Sequence, residues 1–200
     1  MAAVAGSGGY GENAAALAEQ YESITFAQVH RDVLHLFPAV PGRVLDIGAG
    51  SGRDAAALAG RGHRVTAVEP TRALRAQGQA IHAAVPILWV DDALPDLDVV
   101  HRGGEHFDLV LLTAVWMHLD AAERDRAMAR VASMLAPNGR VVLSLRHGPV
   151  PDGRRMFEVS PGETSELGRR HGLNEVFRCE REDMLGRGDV RWSFLCLERP

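Results

Sequence analysis

An α/β fold with a mostly parallel sheet and a C-terminal antiparallel hairpin is predicted by three observations. Short apolar runs alternate with helical stretches from Arg43 to Leu145. The run from Phe107 to Leu112 is almost wholly apolar, as a strand covered on both faces requires. The last part of the chain then breaks the rhythm. Two strand-like runs, 175–180 and 191–197, are joined through Gly186-Arg187-Gly188, which suits a hairpin better than another strand–helix–strand unit.

Taken in order, residues 1–12 are small and glycine-rich and read as a flexible tail. Over residues 13–40 the positions Leu17, Tyr21, Ile24 and Val29 are spaced for one or two helices, which Pro38 and Pro41 close. A strand at 43–47 leads to a helix at 54–59 that ends at Gly60. A strand at 64–68, a helix at 71–84 and a strand at 87–90 follow. After the 107–112 strand comes a helix at 121–135, with Ala127, Val131, Met134 and Leu135 on one side. Pro137-Asn138-Gly139 is a turn into a strand at 140–145, and a helix at 163–171 precedes the hairpin. Such alternation predicts right-handed crossovers within one domain spanning 41–200, with the 13–40 segment packed beside it.

Composition bounds the chemistry. The chain has 200 residues, of which 46% are apolar and 24% charged, the balance of an ordinary globular domain. It contains no lysine, so all 22 basic residues are arginine. That excludes a Schiff-base lysine and a P-loop lysine. A formal charge of −4 argues against a nucleic-acid backbone as the main partner. Cys179 and Cys196 form no CxxC pair and read as two apolar thiols, although facing positions on paired strands would also bring them together. Glu12 and Glu19 interrupt the N-terminal segment, so it does not read as a secretory signal. No apolar run approaches the ~20 residues of a membrane span. A cytoplasmic protein is the expectation, as a monomer or homodimer.

The strongest chemical signal is Val44-Leu45-Asp46-Ile47-Gly48-Ala49-Gly50-Ser51-Gly52-Arg53, which leaves the first strand and opens the first helix. Glycines there let backbone approach a ligand and adopt φ > 0. The spacing is GxGxG, and Arg53 stands where a dinucleotide fingerprint would place its third glycine. Asp46 ends the strand just before the glycines. A carboxylate there would repel a pyrophosphate but suits a cationic, zwitterionic ligand such as S-adenosylmethionine.

The segment resembles motif I of class I S-adenosylmethionine-dependent methyltransferases, and the likeness extends over residues 43–147. It implies a three-layer Rossmann-like sandwich with the cofactor at the C-terminal ends of the strands. Its cofactor site would include Asp46, Gly48, Ala49, Gly50, Gly52 and Arg53, then Glu69 and Pro70 after the second strand. Glu69 matches the ribose clamp. Asp91, Asp92 and Ala93 after the third strand match the adenine site, with Asp92 the preferred contact, and Thr113 follows the fourth strand. Arg53 would either meet the cofactor carboxylate or stand exposed in the first helical turn.

Methyl transfer from a sulfonium needs alignment, water exclusion and sometimes a proton acceptor. The segments that would flank the cofactor hold Tyr21, Phe26, His30, Trp116, Met117, His118, Arg146 and His147. His118 is either a general base or a loop-orienting residue bonded to backbone. Trp116 either walls the pocket or belongs to the core. Arg146 and His147 either hold an anionic acceptor or end a solvated strand, and His147 is a second candidate base. Arg154 and Arg155 read as charged surface. Thr113-Ala114-Val115-Trp116 stands where an exocyclic-amine methylase would carry Asn-Pro-Pro-Tyr, and no carboxylates suit a metal at the ends of the fourth and fifth strands. A small-molecule O, N or S acceptor and no metal are expected. Two other readings stay open: a non-catalytic module that binds S-adenosylmethionine, and an NAD-dependent oxidoreductase, which Asp46 and Arg53 disfavour.

Overall fold

The computed structural model describes residues 10–200, so the tail expected over 1–12 lies outside the described residues for its first nine positions. Seven strands form one sheet: β1 (Arg43–Ile47), β2 (Arg64–Val68), β3 (Ile87–Val90), β4 (Phe107–Leu112), β5 (Leu135–His147), β6 (Asn174–Glu182) and β7 (Arg191–Glu198). Their order is β3-β2-β1-β4-β5-β7-β6. The first five run parallel, whereas β7 pairs antiparallel with both β5 and β6. This is the α/β sandwich with a terminal hairpin that the alternating runs predict. Strand order reverses between β1 and β4, and at such a switch point the loops leaving the strand ends diverge and open a crevice.

Among the described residues seven α-helices accompany the sheet: α1 (Ala14–Glu22), α2 (Phe26–Val29), α3 (Arg53–Ala59), α4 (Arg72–Ile81), α5 (Asp98–Arg102), α6 (Ala121–Met134) and α7 (Pro161–Arg170). Alternate strand residues feed two cores, which makes the architecture three layers deep. Leu45, Ile47, Val110, Leu112, Leu143 and Leu195 pack against Val100 of α5, Met128 and Val131 of α6 and Leu167 of α7. Val44, Leu109, Leu111, Val142 and Phe194 pack on the other face against Phe26 of α2 and Ala55 and Leu58 of α3.

Local chemistry explains the element ends. Asp120 caps α6 through the Glu123 amide, and the Glu123 side chain returns to the Asp120 amide. Pro161 sits at the start of α7, with Ser160 as its cap, so this helix begins two residues before the expected Glu163. The Pro137-Asn138-Gly139 turn is an interruption inside β5 rather than a boundary before it. Phe107 pairs with Leu135 and Leu109 with Arg140, and the extra residues bulge out with Asn138 at φ 59°. Helix α5 was not expected, because five residues are too few to show a period. Cys179 and Cys196 are both free, and each lies opposite a phenylalanine rather than the other thiol.

Candidate active site

A cavity of about 480 Å³ opens at the C-terminal ends of β1, β2, β4 and β5, within the range of small-molecule sites. Its first wall is the loop between β1 and α3. Gly48 and Ala49 both donate their amides to the Val68 carbonyl, at 2.8 and 2.9 Å, which binds the loop to the end of β2. Gly48 and Gly50 adopt φ of +70° and +58°. A Cβ on Gly48 would lie 2.5 Å from Val115, and one on Gly50 would lie 3.3 Å from the Tyr21 ring. Glycine is therefore required at Gly48 by conformation and by space.

Asp46 lines this wall, 1% exposed, and its Oδ2 is buried with no hydrogen-bond partner. Burial pushes its carboxyl well above the ordinary range and the neighbouring Asp54 carboxylate adds to the push, against Arg53 and the Ala55 amide. An orphaned acid oxygen facing a cavity suits a ligand that brings a hydrogen-bond donor and positive charge.

Glu69 ends β2. Its Oε2 accepts from the Gly50 amide at 2.9 Å and its Oε1 from the Thr71 amide at 2.7 Å. Burial raises its pKa, and these two amide bonds oppose the rise. Each oxygen keeps a lone pair for a further donor. Pro70, Thr71 and Leu74 continue the same wall.

The third strand end differs from expectation. The cavity wall there is Ala93 and Leu94. Asp92 instead caps α5, with Oδ2 accepting from Val99 and Val100 at 2.8 and 3.0 Å and Oδ1 from the Ala93 amide at 2.9 Å. Asp91 is exposed and pairs with Arg75 at 2.7 Å. Gly52 stands behind the wall, where its φ of +87° and missing Cβ leave room for Trp89.

Arg53 also has another role. Its Nε donates to Asp54 Oδ1 at 2.7 Å and Nη1 to the Tyr21 carbonyl at 3.2 Å, so it holds α1 over the loop. Asp54, absent from the residues singled out by motif, is a hub. Its Oδ2 also meets His30 Nε2 at 2.7 Å and the Thr113 hydroxyl at 2.9 Å. Burial alone would raise this carboxyl, but His30 and Arg53 hold it well below the usual range.

After β4, Ala114 takes φ +59°, a strained angle for alanine, and its amide donates to Ser144 Oγ at 2.8 Å. The following turn brings Val115, Met117 and His118 to the cavity, while Trp116 is fully buried in the core. His118 Nδ1 lies 2.8 Å from the Arg155 carbonyl, so Nδ1 carries the proton of the neutral ring. Nε2 is then the acceptor, 3.1 Å from the Tyr10 hydroxyl. Burial lowers the His118 pKa, helped by Arg154 and Arg155 and opposed by the Arg155 carbonyl. Nδ1 thus orients the loop through backbone, and His118 lines the cavity with Nε2 against the Tyr10 hydroxyl.

The remaining candidates divide. Tyr21 and Arg146 line the cavity, with Arg146 donating to the Pro149 carbonyl at 2.8 Å. Phe26 and His30 are 5% and 1% exposed and belong to the core beneath α2, because their segment lies against the sheet rather than across the opening. His147 bonds Ser193 Oγ at 2.7 Å at the end of β5, away from the lining residues. Sequence reasoning missed Tyr10, Arg154, Asp183, Arg187 and Trp192, all of which line the cavity. Tyr10 falls in the expected tail, yet the Arg154 guanidinium stacks 3.5 Å from its ring centroid. Arg155 is not plain surface either, since it pairs with Asp120 and Glu123 and donates to the His118 carbonyl.

Comparison with known proteins agrees with this geometry. Residues 17–177 match the family model described as a methyltransferase domain. An uncharacterized methyltransferase of Mycobacterium tuberculosis is 36% identical over 109 residues, covering 54% of this chain and 41% of that protein. The chain thus spans about two fifths of the length of that relative. Among solved structures, the 1,6-didemethyltoxoflavin-N1-methyltransferase of Burkholderia thailandensis aligns with a TM-score of 0.70 and 25% identity, over 94% of this chain and 89% of that one. That protein was crystallised with 1,6-didemethyltoxoflavin and S-adenosylhomocysteine. The N-methyltransferase NodS of Bradyrhizobium japonicum shares the fold at a TM-score of 0.66 and 19% identity, over 92% and 88% of the two chains. With the glycine loop, the orphaned Asp46 oxygen and the switch-point cavity in place, the chain belongs to the methyltransferase-domain family of the class I, S-adenosylmethionine-dependent type.

Proposed function

We propose that this chain transfers a methyl group from S-adenosylmethionine to a nucleophilic atom of a small molecule. The observation that carries the reading is the β1 wall: a glycine loop in which a side chain at Gly48 would collide with Val115, beside a buried acid oxygen with no partner. These residues fit the cofactor. Gly48, Ala49 and Gly50 leave backbone exposed to it, Asp46 meets its positive charge, and Glu69 accepts from ribose hydroxyls. When bound, the cofactor supplies an activated methyl group on a good leaving group.

The work left to the protein is alignment, exclusion of water and management of the acceptor proton. Tyr10, Tyr21, Ile24 and Met156 roof the cavity beside the β1 loop and displace water from it. Burial raises the pKa of both Tyr10 and Tyr21, so their hydroxyls stay neutral donors. His118 Nε2 is the group suited to receive the acceptor proton, because its Nδ1 proton is committed to the Arg155 carbonyl and burial favours the neutral ring. The Tyr10 hydroxyl stands where an acceptor N–H or O–H would replace it. His147, bonded to Ser193, has no part in this scheme.

Labelled methyl transfer screened across small phenols, amines, acids and thiols tests the reading. Transfer to at least one class supports it. Silence with every class, despite tight binding of S-adenosylhomocysteine, would favour a non-catalytic binding module.

A further inference from the structure

The hairpin builds the end of the cavity farthest from β2. In the antiparallel ladders Arg146 of β5 lies opposite Trp192 of β7, and Trp192 lies opposite Arg181 of β6. Residues paired in this way project from the same face, so guanidinium, indole and guanidinium form one row, and all three line the cavity. Just beyond β6, Asp183 organises the adjoining loop. Its carboxylate accepts from Trp192 Nε1 at 2.9 Å, from Arg187 Nε and Nη2 at 3.0 and 2.6 Å, and from the Leu185 and Arg187 amides at 2.9 and 3.3 Å.

Three arginines, Arg146, Arg181 and Arg187, line this end beside Asp183, with Asp32 and Asp189 behind them. Asp183, the lining carboxylate at this end, is saturated by the donors named above. Arg146 donates to main-chain oxygens, those of Gly148 and Pro149 at 3.4 and 2.8 Å. The Arg181 side chain is only 8% exposed and pairs with Asp32 and the Gln28 and Val29 carbonyls, yet its Nε is buried with no partner. Burial lowers the Arg146 pKa, and the nearby Arg187 charge lowers it further against the pull of Asp189 and Asp183. Like charges crowded on a half-buried wall cost free energy that an anion between them would relieve. The floor beneath is apolar and aromatic: Met156, Met184, Trp192 and Phe194.

We infer that the methyl acceptor is a ring-bearing small molecule with a carboxylate, its ring against Trp192 and its carboxylate between Arg146 and Arg187. A guanidinium matches a carboxylate in shape as well as charge, here through Nε and Nη2 of Arg146 and Nη1 of Arg187, which the contacts above leave over. Asp183 is a positioning residue here, since it fixes both the indole edge and the Arg187 fork. His147, the other half of the anion site suggested by sequence, is replaced by Arg187 from the hairpin loop. The inference rests on the methyltransferase reading of the cavity.

The test is calorimetric titration of the intact chain, saturated with S-adenosylhomocysteine, with matched probes: benzoate, 4-hydroxybenzoate, anthranilate and indole-3-carboxylate, each beside its primary amide. At least one acid is expected to bind about tenfold more tightly than its amide, the scale of one charge-assisted hydrogen bond. Arg146→Gln and Arg187→Gln should each remove most of that preference while S-adenosylhomocysteine binding stays unchanged. Amides binding as tightly as acids, no acid binding at all, or a preference retained in both variants would overturn the inference. The acid-to-amide comparison on the unaltered chain stands even if a variant fails to fold. Failure of S-adenosylhomocysteine itself to bind would overturn the methyltransferase reading instead, so the two failures are distinguishable.

Discussion

His30 Nε2 lies 2.7 Å from Asp54 Oδ2, and both side chains are almost fully buried. The pair ties the N-terminal helical segment to the first helix after the glycine loop. It acts together with Arg53, which reaches from Asp54 to the Tyr21 carbonyl, and with Arg181, which reaches from β6 to the Val29 carbonyl. The segment that roofs the cavity is thus fastened through Arg53, Asp54 and Arg181, which also line it.

Breaking this pair should be costly. His30→Leu takes one donor from the buried Asp54 carboxylate, which keeps Arg53 and Thr113, and should destabilise the fold by about 1–3 kcal/mol, the scale of a lost hydrogen bond to a buried charged group. Because Asp54 is held below the usual carboxylate range in the folded state, its contribution is present above the ordinary value of ~3.9 and is lost as pH falls through the lowered folded value. Urea unfolding across a pH series should therefore show earlier acid unfolding in His30→Leu. An unchanged acid limb would remove the pair from the account.

Gly50→Ala separates conformational from ligand effects. At φ +58° the added methyl costs about 1–2 kcal/mol of backbone strain and meets the Tyr21 ring, which must give way by a few tenths of an ångström. Chemical denaturation should show that modest loss, whereas calorimetry should show S-adenosylhomocysteine binding reduced far more. Equal small effects on both would mean that the loop does not cradle the cofactor.

Glu69→Ala removes the acceptor of the Gly50 and Thr71 amides as well as the proposed ribose contact. Binding of S-adenosylhomocysteine should weaken by more than ~1 kcal/mol, the scale of lost charge-assisted hydrogen bonds. An unchanged affinity rules out the ribose role.

His118→Gln tests proton transfer. The variant should lower kcat by about 10²-fold or more while cofactor affinity stays within twofold. Burial depresses the His118 pKa, so the base form persists below the ordinary ~6.5 and the acid limb of kcat against pH should fall under that value. That limb should vanish in His118→Gln. A limb that survives the substitution assigns the titration elsewhere.

β1, β2 and β3 were legible because each is a short run that stops at Gly48, Glu69 or Asp91, and β4 because it is apolar almost throughout. The cofactor wall was legible for a related reason: Asp46, the glycines and Glu69 are local features at strand ends. Side-chain partnerships across long sequence distances were not. Nothing near Asp92 in sequence announces that three amides of a short unexpected helix and its approach will claim that carboxylate. Asp54 becomes a hub only when His30 and Thr113 arrive from other elements, and Tyr10 joins the site through His118 and Arg154, both far along the chain. Arg187 and Trp192 reach the cavity because the hairpin folds back beside β5, a consequence of register that apolar patterning does not encode.

The most direct measurement is calorimetric titration of the intact chain with S-adenosylhomocysteine and, separately, with NAD. The account predicts saturable binding of S-adenosylhomocysteine that Glu69→Ala and Gly50→Ala both weaken, and no binding of NAD. Binding of NAD without S-adenosylhomocysteine would contradict it.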